Sequence, residues 1–282
     1  MELSVVVPCR NAAATLGTQL RALELQQAPG KWEIIVADNG STDRTAAVVS
    51  SFNSSVVPIR VVDASRASGI NHARNEGIRA ARGRYVLLCD ADDIVDPGWV
   101  RAMWAAFAGG AELVGGPVRR ARKRKLADEP DASLQNGLGF LPWPYGANCG
   151  FTRRAYDDLR GFDESYVVGG EETEFFWRGQ LRGYYLHFVP EAVVTYVQRE
   201  QLRDVFSQKF KYGRASVQLY ATFRPVGMPR SSTLNALVKW ARMPVKLARA
   251  LLNSDRRYDF VISLGFATGR LSGSWKYRAW YP

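Results

Sequence analysis

Three carboxylates, Asp90, Asp92 and Asp93, follow directly on the apolar run Tyr85-Val86-Leu87-Leu88-Cys89. A strand that ends this way concentrates negative charge at a sheet edge, where the carboxylates repel and raise one another's pKa. A divalent cation resolves the conflict. Mg2+ or Mn2+ suits such a place, because each prefers one or two carboxylates together with diphosphate oxygens. Acidic turns after strands are common, so the triplet alone does not separate a cation site from an ordinary turn. A second segment, Asp38-Asn39-Gly40-Ser41-Thr42-Asp43, also follows an apolar strand and opens a helix. Asp38 can accept hydrogen bonds from a base or a ribose, whereas Ser41 and Asp43 can equally serve as helix caps.

The elements that must position these groups alternate along the first half of the chain. Strands are predicted over 3–8, 32–38, 56–63, 85–90 and 113–117. Helices are predicted over 12–27, 42–52, 70–81 and 97–107, the last with Pro97 in its first turn. This order predicts an α/β fold with a doubly wound, mostly parallel sheet, on which ligands bind beyond the C-terminal strand ends. Asp38 and Asp90 both fall at such ends. Residues 119–145 open on the basic run Arg119 to Lys125 and close on Phe140-Leu141-Pro142-Trp143-Pro144-Tyr145. They read as a long loop, partly a lid. Helices are expected over 151–159 and 172–182, strands over 184–189 and 192–196, and a helical extension from about residue 202.

Charge is distributed unevenly. The 282 residues carry a net charge of +11, yet residues 199–282 hold 16 Lys/Arg against 4 Asp/Glu, leaving 22 basic and 23 acidic residues in 1–198. The excess in the last third points to a polyanionic partner, anionic lipid or nucleic acid, or to a solvated basic face. Within it, Leu234, Leu237, Val238, Ala241, Val245, Ala248 and Leu252 fall on one helical face, beside Lys239, Arg242, Lys246 and Arg249. That pattern suits a membrane interface or a helix packed on the catalytic part, and Pro244 should kink it. Trp275, Tyr277, Trp280 and Tyr281 lie among Lys276 and Arg278, as in an interfacial belt. No apolar stretch reaches the roughly 20 residues that span a bilayer, and residues 1–7 lack the pattern of a signal sequence. The three cysteines, Cys9, Cys89 and Cys149, form no CxxC pair, which favours a reduced setting.

Read together, Val5-Val6-Val7-Pro8-Cys9-Arg10-Asn11, Ile34 to Asp43, Ala73-Arg74-Asn75-Glu76-Gly77 and Asp90-Ala91-Asp92-Asp93 occur in an order that resembles the inverting glycosyltransferase family 2, which has the GT-A fold. Asn148, Gly161-Phe162-Asp163-Glu164, Gly170 to Glu174, Arg178 and Gly183 look like its acceptor-side motifs. The resemblance spans about residues 3–198. It implies a catalytic region at 1–198, with nucleotide-sugar binding in 1–117 and the acceptor side in 118–198, followed by a basic helical extension at 199–282. It also implies a role for each matched position. Pro8 and Arg10 would border the nucleotide pocket, Asp38 would hold the nucleobase, and Arg74 would approach the donor diphosphate. Asp90 would contact ribose or donor sugar, and Asp92 would ligate Mg2+ or Mn2+. Glu172, or its neighbour Glu171, would be the general base, unless the pair merely starts a helix. Trp143, Tyr145, Asn148 and Arg178 are the acceptor-side candidates, although Trp143 is equally readable as a core or lid aromatic.

Where many relatives place a metal-side His, this chain has Thr195 and Tyr196. Its two histidines, His72 and His187, read as structural, His72 on the surface. Neither a QxxRW signature nor membrane spans are found, which favours single-sugar transfer. The expected partners are a UDP, GDP or dTDP sugar, a glycan or glycolipid acceptor, and an anionic membrane surface at the inner, cytoplasmic face, without nucleic acid. The rivals are a sugar nucleotidyltransferase on a similar fold and a basic nucleic-acid-binding module. The first would need a Gly-rich phosphate loop that Cys9 to Ala14 does not supply, and no zinc spacing or RNP sequence supports the second.

Overall fold

A computed structural model describes residues 1–52, 57–122, 125–126, 129–167 and 169–282. Val56, in the predicted third strand, and Lys123 and Arg124 of the basic run lie outside the described residues. The chain divides into two compact units. The first comprises 1–135, 142–167 and 171–198; the second comprises 199–282 with short stretches at 136–141 and 169–170.

The first unit is built on a seven-stranded sheet of order β10-β6-β9-β4-β1-β2-β3. In chain order its first elements are β1 (Leu3–Cys9), α1 (Leu16–Glu24), β2 (Trp32–Asp38), α2 (Thr45–Ser50), β3 (Ile59–Asp63), α3 (Ile70–Ala80) and β4 (Tyr85–Leu88). The short β5 (Ile94–Val95), α4 (Trp99–Ala108), β6 (Leu113–Gly115), β7 (Val118–Arg122) and β8 (Lys125–Leu126) follow. The unit ends with β9 (Cys149–Thr152), α5 (Arg153–Asp158), α6 (Glu171–Leu181), β10 (Leu186–Phe188) and β11 (Val194–Val197). Strands β1, β2 and β4 are near-continuous runs of Val, Ile and Leu because both their faces are covered, as in parallel sheets generally. Leu16, Leu20 and Leu23 of α1 and Trp99, Met103 and Phe107 of α4 share one core with Val5, Val7 and Ile34.

Two predicted segments fold otherwise. Residues 151–159 do not form one helix. Cys149–Thr152 is a strand, antiparallel to both β4 and β6, and only then does α5 begin, with the Thr152 hydroxyl accepting from Ala155 N–H. Four residues, three of them buried, are too few to display a period, so the strand was hidden in the apolar start of the helix. The expected loop over 119–145 is also wrong at its start. There β7 pairs parallel with β11 and antiparallel with β8, giving a second, four-stranded sheet of order β5-β11-β7-β8. Arg119 pairs with Asp96 at 2.5 Å, and Arg120 with Asp131 at 2.5 Å, so these two members of the basic run are used within the unit.

The second unit holds α7 (Leu202–Phe223), a short 3-10 turn at Arg224–Val226, α8 (Thr233–Ala241), α9 (Met243–Leu252) and α10 (Ser254–Lys276). The expected kink at Pro244 is a full break at Arg242, with proline in the first turn of α9, where its missing N–H costs nothing. Apolar residues 260–271, interrupted by glycines, lie inside α10. The glycines are there for contact: a Cβ on Gly269 would stand 2.1 Å from the Phe210 carbonyl oxygen, and one on Gly213 would stand 2.2 Å from that of Phe266. Helices α7 and α10 therefore touch backbone to backbone. Gly269→Val should force them apart and destabilise this unit by about 3 kcal/mol. An unchanged thermal melt would show that the helices can separate freely.

Candidate active site

The candidate side chains Pro8, Arg10, Asp38, Asp90 and Asp92 collect at the C-terminal edge of β4, β1 and β2. In parallel register Pro8 faces Ala37 and Cys9 faces Asp38, while Leu88 pairs with Val6. Asp38 closes β2 and Asp90 follows β4, on either side of β1. Strands lie about 4.8 Å apart, so the two tips are about 10 Å apart across one mouth. Asp38 Oδ1 accepts from Ser41 N–H at 3.0 Å and from its hydroxyl at 2.6 Å. The loop carrying Arg10 is laced to this turn: Asn11 Oδ1 accepts from Thr42 N–H, the Asn11 N–H donates to Ser41 Oγ, and Ala13 N–H donates to Asp43. Arg10 is exposed at the rim and donates to Ser68 Oγ at 2.8 Å. Ser41 does not cap α2, which starts only at Thr45; Asp43 instead accepts from Thr45 N–H and its hydroxyl.

Asn39 and Gln19 are supporting residues that sequence reasoning missed. Asn39 is buried; its amide donates to the Ala64 and Ala67 carbonyls and its oxygen accepts from Gly69 N–H, which fixes the approach to α3. Gln19, wholly buried, donates to the Asp90 carbonyl and accepts from Val95 N–H, pinning both ends of the acidic turn. A buried Gln or Asn in an otherwise apolar pattern was the available signal.

Asp90, Asp92 and Asp93 each offer a carboxylate oxygen, all within 4.8 Å of one another. Asp90 is partly buried, Asp92 exposed and Asp93 buried. Asp90 Oδ1 and Asp93 Oδ2 are buried without a hydrogen-bond partner, while Asp93 Oδ1 accepts from Val197 N–H on β11. Burial, then the charges of Asp90 and Asp92, push the Asp93 carboxyl up to about 9. Burial raises Asp90 to about 6 despite the opposing Arg74 guanidinium. Orphaned buried oxygens on adjacent acids fit a divalent cation, which supplies the missing counter-charge. Thr195, where the resemblance led one to expect a metal-side His, donates its hydroxyl to Asp96 at 3.1 Å.

Arg74 is the buried cation facing this cluster. Gly77 allows its helix to lie directly on β1, since a Cβ there would come within 2.5 Å of Val6 Cγ1. The Arg74 guanidinium lies 3.7 Å from Asp90 Oδ1 and over the Phe162 ring, and its Nε and Nη1 lack hydrogen-bond partners. Burial opposes its charge, but Asp90, Glu172 and Glu171 more than offset that and hold it protonated. Glu171 and Glu172 open α6, where the free backbone N–H groups favour carboxylates. Burial, then the neighbouring Glu171, lifts the Glu172 carboxyl to about 7, with Arg74 pulling the other way. Gly146 fits between them: a Cβ on it would stand 2.7 Å from Arg74 Nη2 and 3.4 Å from Glu172 Oε2.

The remaining acceptor-side candidates divide. Tyr145, beside Gly146, donates its hydroxyl to Asp131 and accepts from Arg120. Asn148 is wholly buried, its amide donating to the Pro117 and Ala192 carbonyls and its oxygen accepting from Trp99 Nε1–H; it is a core fastener, not a cleft residue. Arg178 likewise holds Glu174 and the Leu159 and Gly161 carbonyls. Trp143 is buried edge-on against Trp177, so the core reading holds for it. His72 corrects the expectation of a surface residue: it is buried, with Nδ1 3.0 Å from Glu164 Oε2. Together with Asn71 and Asn75 it binds the Phe162–Glu164 segment to α3 and sets Phe162 against Arg74.

Known proteins resemble the chain in sequence and in fold. Residues 4–159 match the glycosyl transferase family 2, and 85–271 match glycosyl transferase family group 2. The chain is 28% identical over 263 residues to the pre-mycofactocin glycosyltransferase of Mycobacterium tuberculosis, covering 86% of this chain and 53% of that one. It is 35% identical over 193 residues to an uncharacterized glycosyltransferase, YibD, of Escherichia coli, covering 62% of this chain and 55% of that one. The chain thus spans about half the length of these curated relatives. Among solved structures, the mannosyltransferase PcManGT of Pyrobaculum calidifontis, in complex with GDP-Man and Mn2+, superposes with a TM-score of 0.72 at 19% identity, covering 98% of this chain and 87% of that one. TarS 1–349 of S. aureus, in complex with UDP-GlcNAc, gives 0.60 at 15%, covering 100% and 93%. The fold is GT-A, and the chain belongs to glycosyl transferase family 2, enzymes that transfer sugars from nucleotide sugars.

Proposed function

We propose that the chain is a metal-dependent, inverting glycosyltransferase that moves one sugar from a nucleotide-diphosphate sugar to an acceptor hydroxyl. The observation that carries this reading is Glu172, a carboxyl lifted to about 7, placed with the buried Arg74 beside the three aspartates. Asp92, with Asp90 and Asp93, would hold Mg2+ or Mn2+, and the bound cation would neutralise charge on the leaving diphosphate. Asp38 takes the nucleobase, Pro8 and Arg10 border the nucleotide, and Asp90 contacts ribose or donor sugar. The two unpartnered nitrogens of Arg74 donate to the diphosphate. Glu172 accepts the proton of the acceptor hydroxyl as its oxygen attacks the anomeric carbon; the bond to the diphosphate oxygen breaks and the electron pair leaves on that oxygen. A single in-line displacement inverts the anomeric carbon. Glu171 raises the basicity of Glu172, and Tyr145 borders the acceptor.

The acceptor in this reading is a lipid-linked or cell-envelope glycan at the inner face of a membrane. The basic excess of residues 199–282 supports it, and no helix among the described residues is long and apolar enough to cross a membrane. A screen of UDP, GDP and dTDP sugars by thermal shift, with and without Mn2+, should find a donor that protects only with metal. Turnover with that donor should release nucleoside diphosphate; release of pyrophosphate would instead establish a nucleotidyltransferase.

A further inference from the structure

Helices α8 and α9 pair very little of their surface with the protein. Of their 19 residues only Ala236, Met243 and Ala250 are buried. Met243 and Ala250, seven apart, form one narrow seam on α9, and Ala236 is the single buried position of α8. The sequence is apolar well beyond that seam. At 100° per residue, Leu234, Leu237 and Val238 of α8 continue around the helix from Ala236, and Leu247, Leu251 and Leu252 of α9 do the same from Met243 and Ala250. All six are exposed, Leu234 and Leu251 by 70% and Leu252 by 90%. Arg242, Lys246 and Arg249 fall within an arc of about 60° along the flank of the α9 face. A groove of about 280 Å³, lined by Leu237, Trp240, Leu271, Trp280 and Pro282, joins α8 to α10. One turn beyond Leu271, Trp275 stands 90% exposed.

Charge decides what can cover this face. A second copy would bring one strongly basic surface against another, since 199–282 carries 16 basic and 4 acidic residues. A nucleic acid would answer the charge but leave the leucines and Trp275 without apolar contact. An anionic bilayer answers both. It offers headgroup charge to the basic flank and an acyl boundary to the leucines, while Trp settles at the interface between them.

We infer that α8, α9 and the Trp275–Trp280 end of α10 form an interfacial face that lies on an anionic lipid bilayer, with Leu251, Leu252 and Trp275 reaching the acyl boundary. The inference deepens the membrane reading proposed above by naming the side chains that insert. The test is flotation of the full chain with vesicles of phosphatidylglycerol and phosphatidylcholine, compared with phosphatidylcholine alone. Wild type should float with the anionic vesicles, with a blue-shifted tryptophan emission, and lose about tenfold in partitioning between 0.1 and 1 M salt. The Leu251→Glu/Leu252→Glu variant should lose at least about tenfold at low salt, and Trp275→Ala a smaller amount, with thermal melts and nucleoside diphosphate release unchanged. Failure of wild type to float would overturn the membrane reading and this face together. Equal flotation of the double variant would overturn the face and leave the reading standing. A wild-type dimer that the double variant dissociates would assign the face to a second copy, and tighter binding to single-stranded RNA than to vesicles would assign it to nucleic acid. Both results overturn the inference. Nucleotide release is measured without vesicles, so failure of the transferase reading registers separately.

Discussion

Glu172→Gln should retain metal-dependent protection by the donor and lose turnover by about three orders of magnitude, the middle of the range for a positioned base. The amide fills the same space at the start of α6 but cannot accept a proton. Wild-type kcat should also carry the signature of this group. Only ionised Glu172 can act, so activity falls as pH drops through about 7 and levels above it. Glu171→Gln separates the two acids. It removes the second-largest cause of the upward shift, so the acidic limb should move to lower pH while most turnover remains. If Glu171→Gln abolishes turnover and Glu172→Gln does not, the base is Glu171 and the reading of the pair is reversed. Gly146→Ala is a milder probe of the same geometry. Its methyl would press on Arg74 Nη2 and crowd Glu172, so kcat should fall about tenfold with donor protection maintained. Unchanged kcat would show that the 145–148 turn yields.

How far the sequence disclosed this site depends on the kind of signal each residue gives. Asp38 and Asp90 were legible because each follows a long apolar strand, and strand tips locate such residues without tertiary information, whereas Arg74 was marked only by the resemblance of Ala73 to Gly77 to the family's motif. Strands β1, β2 and β4 were legible as apolar runs bounded by polar turns. The antiparallel β9 was not, because what defines it is the slot between β4 and β6, and four residues cannot advertise a partner 60 residues away in the chain. The same reasoning explains Asn148 and Arg178. Both belong to motifs near the site, yet their polar atoms satisfy backbone carbonyls, which no side-chain spacing reveals. The Phe162–Glu164 segment is hydrogen-bonded to α3 and sets the Phe162 ring against Arg74. Residues 119–122 misled in the opposite direction. They read as the start of a long loop, whereas Asp96 and Asp131, outside the basic run, neutralise Arg119 and Arg120 within a strand.

The acidic cluster carries the second large prediction, which concerns stability before activity. In chelator, Asp93 titrates near 9 in the folded chain against about 4 in the unfolded one, where it is a normal carboxyl. A raised folded-state pKa means that folding takes up a proton between those limits, so stability is greatest at low pH and declines as pH rises through the window. Asp90, raised to about 6, adds to the same slope over the lower part of the range. The cluster titrates as a unit, so the net destabilisation of metal-free protein at pH 8 is placed at about 2 kcal/mol, well below the sum of the separate shifts. Asp93→Asn removes the buried charge while its side-chain oxygen can still accept from Val197 N–H. In chelator it should raise Tm by about 5 °C at pH 8 and hardly at all at pH 5. Adding Mn2+ should reverse the ranking: wild type gains at pH 8, Asp93→Asn gains less, and Asp92→Ala gains nothing even with donor present. A wild-type melt that is flat from pH 5 to 9 in chelator, and unmoved by Mn2+ at pH 8, would mean that these carboxylates find their counter-charge inside the protein, in Arg74, and that the cluster is not a metal site.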